Sequence, residues 1–147
     1  MEKEEYEITT KLIDEAYKNV RMASFAIDCL IENIENKSLE DLLRKQNQYY
    51  LESTKSIESL SKTIKHKTID INPFLKGMSF TSIKVKTLMN NESSHLAQML
   101  VEGTTMGITQ LIKAKSDYPS KNNKLIGIVQ KIIEYEEEFV DSLKKYL

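Results

Sequence analysis

The densest group of potential metal ligands is the stretch IIEYEEEFV, residues 132–140, where Glu134, Glu136, Glu137 and Glu138 fall within five positions. Clustered carboxylates suit hard, oxygen-seeking cations. Helical phase divides the cluster. In a helix over 123–146, Glu136 falls on the seam between Ile133 and Val140 and faces the core. Glu134, Glu137, Glu138 and Asp141 recur at i, i+3, i+4 and i+7, which puts them together on the opposite, solvated face. Lys144 and Lys145 are near enough to Asp141 to pair with it weakly. One inward carboxylate remains.

The other reactive side chains are few. Cys29 is the only cysteine, so neither an intramolecular disulfide nor a multi-cysteine zinc site can form within one chain. It lies beside the seam of the first helix and reads as a small core residue. His66 sits at a lysine-rich helix end, exposed, where a cation suits the helix dipole. His95 lies in the first turn of another helix, and neither histidine has a legible Cys, Ser or Asp partner. A catalytic triad, a Walker loop and a dinucleotide fingerprint are absent. The reading leans away from an enzyme, names no catalytic residue and expects no cofactor.

These residues sit on helices. Residues 4–36 form one long helix, with Tyr6, Ile13, Val20, Ile27 and Ile34 recurring every seven residues and Ala16, Ala23 and Leu30 filling the second seam. Ser38 reads as the N-cap of a second helix, 39–66, with Glu40 and Asp41 in its first turn. The seam of that helix is Leu39, Leu43, Gln46, Tyr50, Ser53, Ile57, Leu60 and Ile64, polar in its middle. Asn72-Pro73 starts a shorter helix, 73–89, which carries Phe74, Leu75, Met78, Phe80, Ile83, Val85, Leu88 and Met89 among lysines and is weakened by Gly77. Ser93 or Ser94 caps a helix over 94–117 whose inward face is Leu96, Leu100, Gly103, Gly107, Leu111 and Ala114. Tyr118-Pro119-Ser120 ends it, Lys121 to Asn123 continue the turn, and the last helix follows over 123–146.

Short links make 4–66 and 94–146 two antiparallel hairpins. The roughly 27 residues between them can span about 45 Å, the length of a bundle. The expected fold is therefore all-α, a single four-helix-bundle domain over 1–147, built from two hairpins and a long crossover carrying a short extra helix. The competing topology fuses 73–117 into one kinked helix and runs simply up and down.

By architecture, hairpin–crossover–hairpin, the chain resembles the ferritin-like four-helix bundles. The resemblance implies a test. Metal-bearing members use a Glu from each of two helices and a Glu-x-x-His from each of the other two. Here Phe139 stands at i+3 from Glu136, where the pattern wants histidine. The second helix offers Gln46 with Tyr50 or Ser53, and the first offers no inward carboxylate, since Asp28 and Glu32 point outward. Comparable distances from helix starts and turns place Gln46, Glu102 and Glu136 in one polar layer, with Tyr49 or Tyr50 alongside. Glu102 and Glu136 are then the only candidate metal ligands, and two carboxylates and an amide are too few to hold two iron ions. No metal is expected, and a partner for buried Glu136 is sought in a tyrosine hydroxyl or Gln46. Gly103 and Gly107, one turn apart, cost the helix roughly 1–2 kcal/mol relative to alanine, so close packing is expected at both, against Tyr50 or another ring.

Bulk properties exclude more than they assign. With 21 basic and 22 acidic residues, the chain lacks the basic surplus of a general nucleic-acid binder. Residues 55–86 hold seven lysines against Glu58 and Asp70, but no aromatic or arginine pattern accompanies them, so they read as a solvated face. The start, MEKEEYEITT, is acidic and polar rather than a signal peptide, and no run approaches the ~20 apolar residues of a membrane helix. A soluble, cytoplasmic protein is expected, and Lys, Ile and Asn usage fits an AT-rich bacterial genome. Two functions stay open. One is an interaction or structural protein, homodimeric through the apolar residues of 73–89. The other is a small-ligand or metal-binding bundle using the groove at Gly103 and Gly107 and the polar layer.

Overall fold

The computed structural model describes residues 1–73, 76–77, 81–84, 91–119 and 122–147. They form α1 (Lys3–Leu30), a 3₁₀ turn (Ile31–Asn33), α2 (Lys37–Thr63), α3 (Ser93–Ser116), α4 (Asn123–Leu143) and a final 3₁₀ turn (Lys144–Tyr146). Residues 73, 76–77 and 81–84 are helical as well. The protein is all-helical, with no strand among the described residues.

The helix ends follow local chemistry. α1 stops short of the expected Asn36: its last turn tightens into 3₁₀, and Ile34 turns extended while remaining buried. Asn36, not Ser38, caps α2, its side chain accepting from the Leu39 amide at 3.0 Å. α3 begins at Ser93 with Glu92 in the N-cap position, so neither Ser93 nor Ser94 is the cap. Asn122 caps α4 in the same way as Asn36, through the Leu125 amide at 3.0 Å. α2 ends in a Schellman motif, with the His66 amide on the Ser61 carbonyl and the Lys65 amide on the Lys62 carbonyl. Lys65 takes the left-handed position, φ 56°, that glycine usually fills.

Cross-links fix the helix directions. Ser24 reaches Asn47, and Asp14 meets His66, so α1 and α2 are antiparallel. Thr9 meets Tyr118 and Asn19 meets Gly107, which makes α1 and α3 antiparallel too. Ser38 meets Tyr146 and Tyr50 meets Glu136, giving the same relation between α2 and α4. Lys115 with Gln130 completes the ring α1–α2–α4–α3. Leu12, Ile13, Val20, Ile27, Leu39, Leu43, Ile57, Leu96, Leu111, Leu125 and Ile132 fill its interior.

α2 therefore ends where α1 begins, and the described part of the following link climbs α1. Asp70 pairs with Arg21, and Lys76 lies 5.7 Å from the centre of the Phe25 ring. Lys84 comes near enough to Cys29 to act on its thiol electrostatically. Pro73 opens the helical part, with the Lys76 amide on the Asn72 carbonyl at 2.9 Å. Of the apolar residues expected to line 73–89, Ile83 is half-buried against the core. Phe74, Leu75, Met78, Phe80, Val85, Leu88 and Met89 lie outside the described residues, as do Ser120 and Lys121.

Candidate functional site

All four bundle helices, α1 to α4, contribute to a polar layer halfway along the core. α4 supplies Glu136, 1 % exposed, on a face that also buries Val129, Ile132, Ile133, Phe139 and Leu143. Its neighbours Glu134, Glu137 and Glu138 are exposed. α2 supplies Gln46 and Tyr50, both buried. The Tyr50 hydroxyl donates to Glu136 Oε2 at 3.0 Å. α3 contributes Gly107, whose carbonyl accepts from Asn19 Nδ2 of α1 at 3.2 Å. A Cβ on Gly107 would lie 3.1 Å from that Asn19 nitrogen and 3.8 Å from Glu136 Oε2. The close approach at Gly107 is thus to an amide and a carboxyl rather than to an aromatic ring.

The surroundings of the layer favour the uncharged forms of its titratable groups. Burial pushes the Glu136 carboxyl up to about 7, against the hydrogen bonds from Asn19 and Tyr50 that hold it down. The Tyr50 phenol is raised well above its ordinary value, first by burial and then by Glu136, with Gln46 opposing. Three buried atoms of the layer have no hydrogen-bond partner: Asn19 Oδ1, Gln46 Nε2 and Glu136 Oε1. Elsewhere among the described residues only His95 Nε2 shares that condition. At the same level, on the outer side, Tyr49 of α2 stacks on Tyr135 of α4, ring centres 3.8 Å apart and planes within 10°.

Two residues expected here lie elsewhere. Glu102 is exposed and accepts from Gln98 on the outer side of α3, at 3.1 Å. Gly103 is exposed too, and a Cβ there would meet nothing within 4 Å. The buried positions of α3 are Leu96, Ala97, Leu100, Thr104 and Leu111. Thr104 occupies the inward slot expected for Gly103, a rotation of about 100°. Asn19 is the member that the sequence reading missed. Its only sequence signal is a polar residue one turn from both Ala16 and Ala23, on the edge of the seam.

The layer is short of ligands for a metal. Phe139 is buried at the i+3 position from Glu136, and among the described residues no three His, Cys, Asp or Glu side chains gather. Two shallow surface clefts are lined by other residues, one by Glu2, Glu4, Glu5, Ile8, Tyr118 and Pro119, the other running from Tyr49 and Glu52 to Ile128 and Lys131.

Away from the layer, His66 pairs with Asp14 at 2.8 Å and stands edge-on to Tyr6, so it closes the junction of α2 with α1 instead of lying free. Cys29 is buried, and burial raises its thiol above the ordinary value. No helix among the described residues is long and apolar enough to cross a membrane. Comparison of the chain with protein-family models, with curated proteins and with solved structures gives no match.

Proposed function

We propose that the chain is a non-catalytic helical bundle of ferritin-like topology, a cytoplasmic protein that acts through its surface as an interaction or structural element and pairs as a homodimer. Neither nucleic acid nor membrane is among its partners in this reading. The ring order α1–α2–α4–α3 supports the topology, as does a link that starts beside Asp14 and reaches Cys29. One observation carries the functional part. Glu136, the one fully buried carboxyl among the described residues, faces the Tyr50 phenol and the Asn19 amide, with no second carboxylate beside it. A carboxyl raised to about 7 is largely protonated in mildly acidic and half protonated in neutral solution, and a protonated acid is a poor metal ligand. Its role in this reading is to fix the register of four helices, the best-attested use of buried polar groups.

Elemental analysis of protein purified without chelators tests the reading. Metal well below one equivalent is expected, and stoichiometric iron or manganese overturns it. A second reading, a small polar ligand or cation held by the layer, draws on the three unpartnered atoms of Asn19, Gln46 and Glu136. Marked thermal stabilisation by Mn²⁺ above pH ~7.5, lost in Glu136→Gln, favours it over the first.

A further inference from the structure

The outward face of α3 differs from the other outward faces. α1 exposes Lys11, Asp14 and Lys18, and α4 exposes Lys131, Glu134 and Glu137. On α3, every position from Gly103 to Ile112 is uncharged. Met106 is 64 % exposed and Ile112 47 % exposed within that run, and Gly103, one turn from Met106, leaves open space around it. The run is bracketed by opposite charges, exposed Glu102 at one end and exposed Lys113 at the other. Among the described residues neither enters an ion pair.

These two charges are placed symmetrically. Glu102 and Lys113 are equidistant from the midpoint between Gly107 and Ile108, and so are Met106 and Thr109. At 100° per residue all four fall within about 60° of one another around the helix. A second copy of the same face, turned end for end, would meet Lys113 with Glu102, Glu102 with Lys113, and Met106 with Thr109. That is the self-complementarity a two-fold interface requires. An uncharged centre with charges at the rim is the usual interface pattern.

We propose that α3 pairs antiparallel with α3 of a second copy of this chain, Glu102 of each copy against Lys113 of the other and Met106 at the centre. The proposal rests on the homodimer reading above and assigns it a face other than 73–89. One helix face gives a contact of the small, weak class, so the dimer forms reversibly at high protein concentration.

Sedimentation equilibrium of the full chain, up to several hundred micromolar, tests it. The wild type should show a mass rising with concentration toward two copies. Glu102→Lys and Lys113→Glu each place like charges at both ends of the contact and should weaken association about ten-fold. The double variant Glu102→Lys/Lys113→Glu restores both pairs and should return to near wild-type affinity. Met106→Asp should weaken association at least as much as either single reversal. Glu102, Lys113 and Met106 are all exposed, and circular dichroism should show unchanged helicity. A wild type that stays monomeric throughout overturns both this pairing and the homodimer reading. A dimer indifferent to all four variants overturns only this face. Weakened single variants with no rescue in the double overturn the antiparallel register.

Discussion

Two carboxyls, Glu136 and Asp70, were moved in opposite directions by the same fold. Glu136 sits in the core beside a phenol and an amide, and burial lifts it to about 7. Asp70 sits on the link that climbs α1, where two bonds from the Arg21 guanidinium at 3.1 Å and the Ile71 amide at 2.8 Å hold it down at about 2. Solvent makes the difference. Asp70 keeps 44 % of its side chain in water and meets a cation, so the charged form is favoured. Glu136 has almost no water and no cation, so the neutral form is favoured. One group specifies the interior by being uncharged, and the other fastens the link by being charged.

The largest expected effect separates the two by pH. Glu136 has its folded value raised from 4.5 to about 7, so its contribution is complete below about 4.5 and is lost as pH rises through about 7. That shift corresponds to a fall in stability on the order of 3 kcal/mol across the window. Glu136→Gln keeps the shape, stays neutral and can still accept from Tyr50. Denaturant unfolding of the variant should lack that fall, leaving it more stable than the wild type above pH ~7.5. Equal slopes in both proteins would break the comparison.

Next in size is Tyr50→Phe. It removes the donor to Glu136 Oε2 and leaves a buried acceptor unmet, which costs about 1–3 kcal/mol. It also removes one of the two bonds that hold the carboxyl down. The pH midpoint of the stability loss should therefore move upward, a readout that simple loss of packing would not give.

What was legible in the sequence follows the strength of the apolar pattern. On α4 and α2, large residues on both sides of the polar position fix the phase: Ile133 and Val140 around Glu136, Leu43 and Ile57 around Gln46 and Tyr50. Those side chains lie where the seam puts them. Between Leu100 and Leu111 of α3 no large apolar residue is fully buried, only Thr104. A seven-residue count gives 100, 103, 107, whereas the helix takes 100, 104, 107, and the glycines pulled the reading to the wrong choice. Glu102 and Gly103 left the layer together for that one reason. The Arg21–Asp70 and Asp14–His66 pairs join residues 49 and 52 apart. No periodicity encodes such pairs, so only the path of the link reveals them.

The two glycines of α3 give a third, smaller test. Gly103→Ala meets open space and should gain the helix-propensity difference, about 0.5–1 kcal/mol. Gly107→Ala sets a methyl 3.1 Å from Asn19 Nδ2 and strains the bond that this nitrogen makes to the Gly107 carbonyl. The second variant should be at least about 1 kcal/mol less stable than the first, by thermal unfolding of both at one low protein concentration. Equal stabilities would mean that the Asn19 amide yields without loss and that the layer is loosely held.

The smallest effect belongs to Asp70→Asn, and it is the one that salt should change. The Asp70 value is lowered from 3.8 to about 2, so its contribution is present above about 3.8 and is lost as pH falls through about 2. Its side chain and that of Arg21 are 44 % and 26 % exposed, so solvent screening leaves the pair worth less than about 1 kcal/mol. Near pH 6 the variant should be destabilised by that amount, and the difference should close as pH falls toward about 2. Raising ionic strength to about 1 M shortens the Debye length to about 3 Å and should erase most of the Asp70→Asn cost. The Tyr50→Phe cost should persist at the same salt, because a neutral buried hydrogen bond offers counterions nothing to screen. If salt reduced both costs alike, Glu136 would be carrying charge in the core, and the contrast between a neutral layer and a charged fastening would fail at its centre.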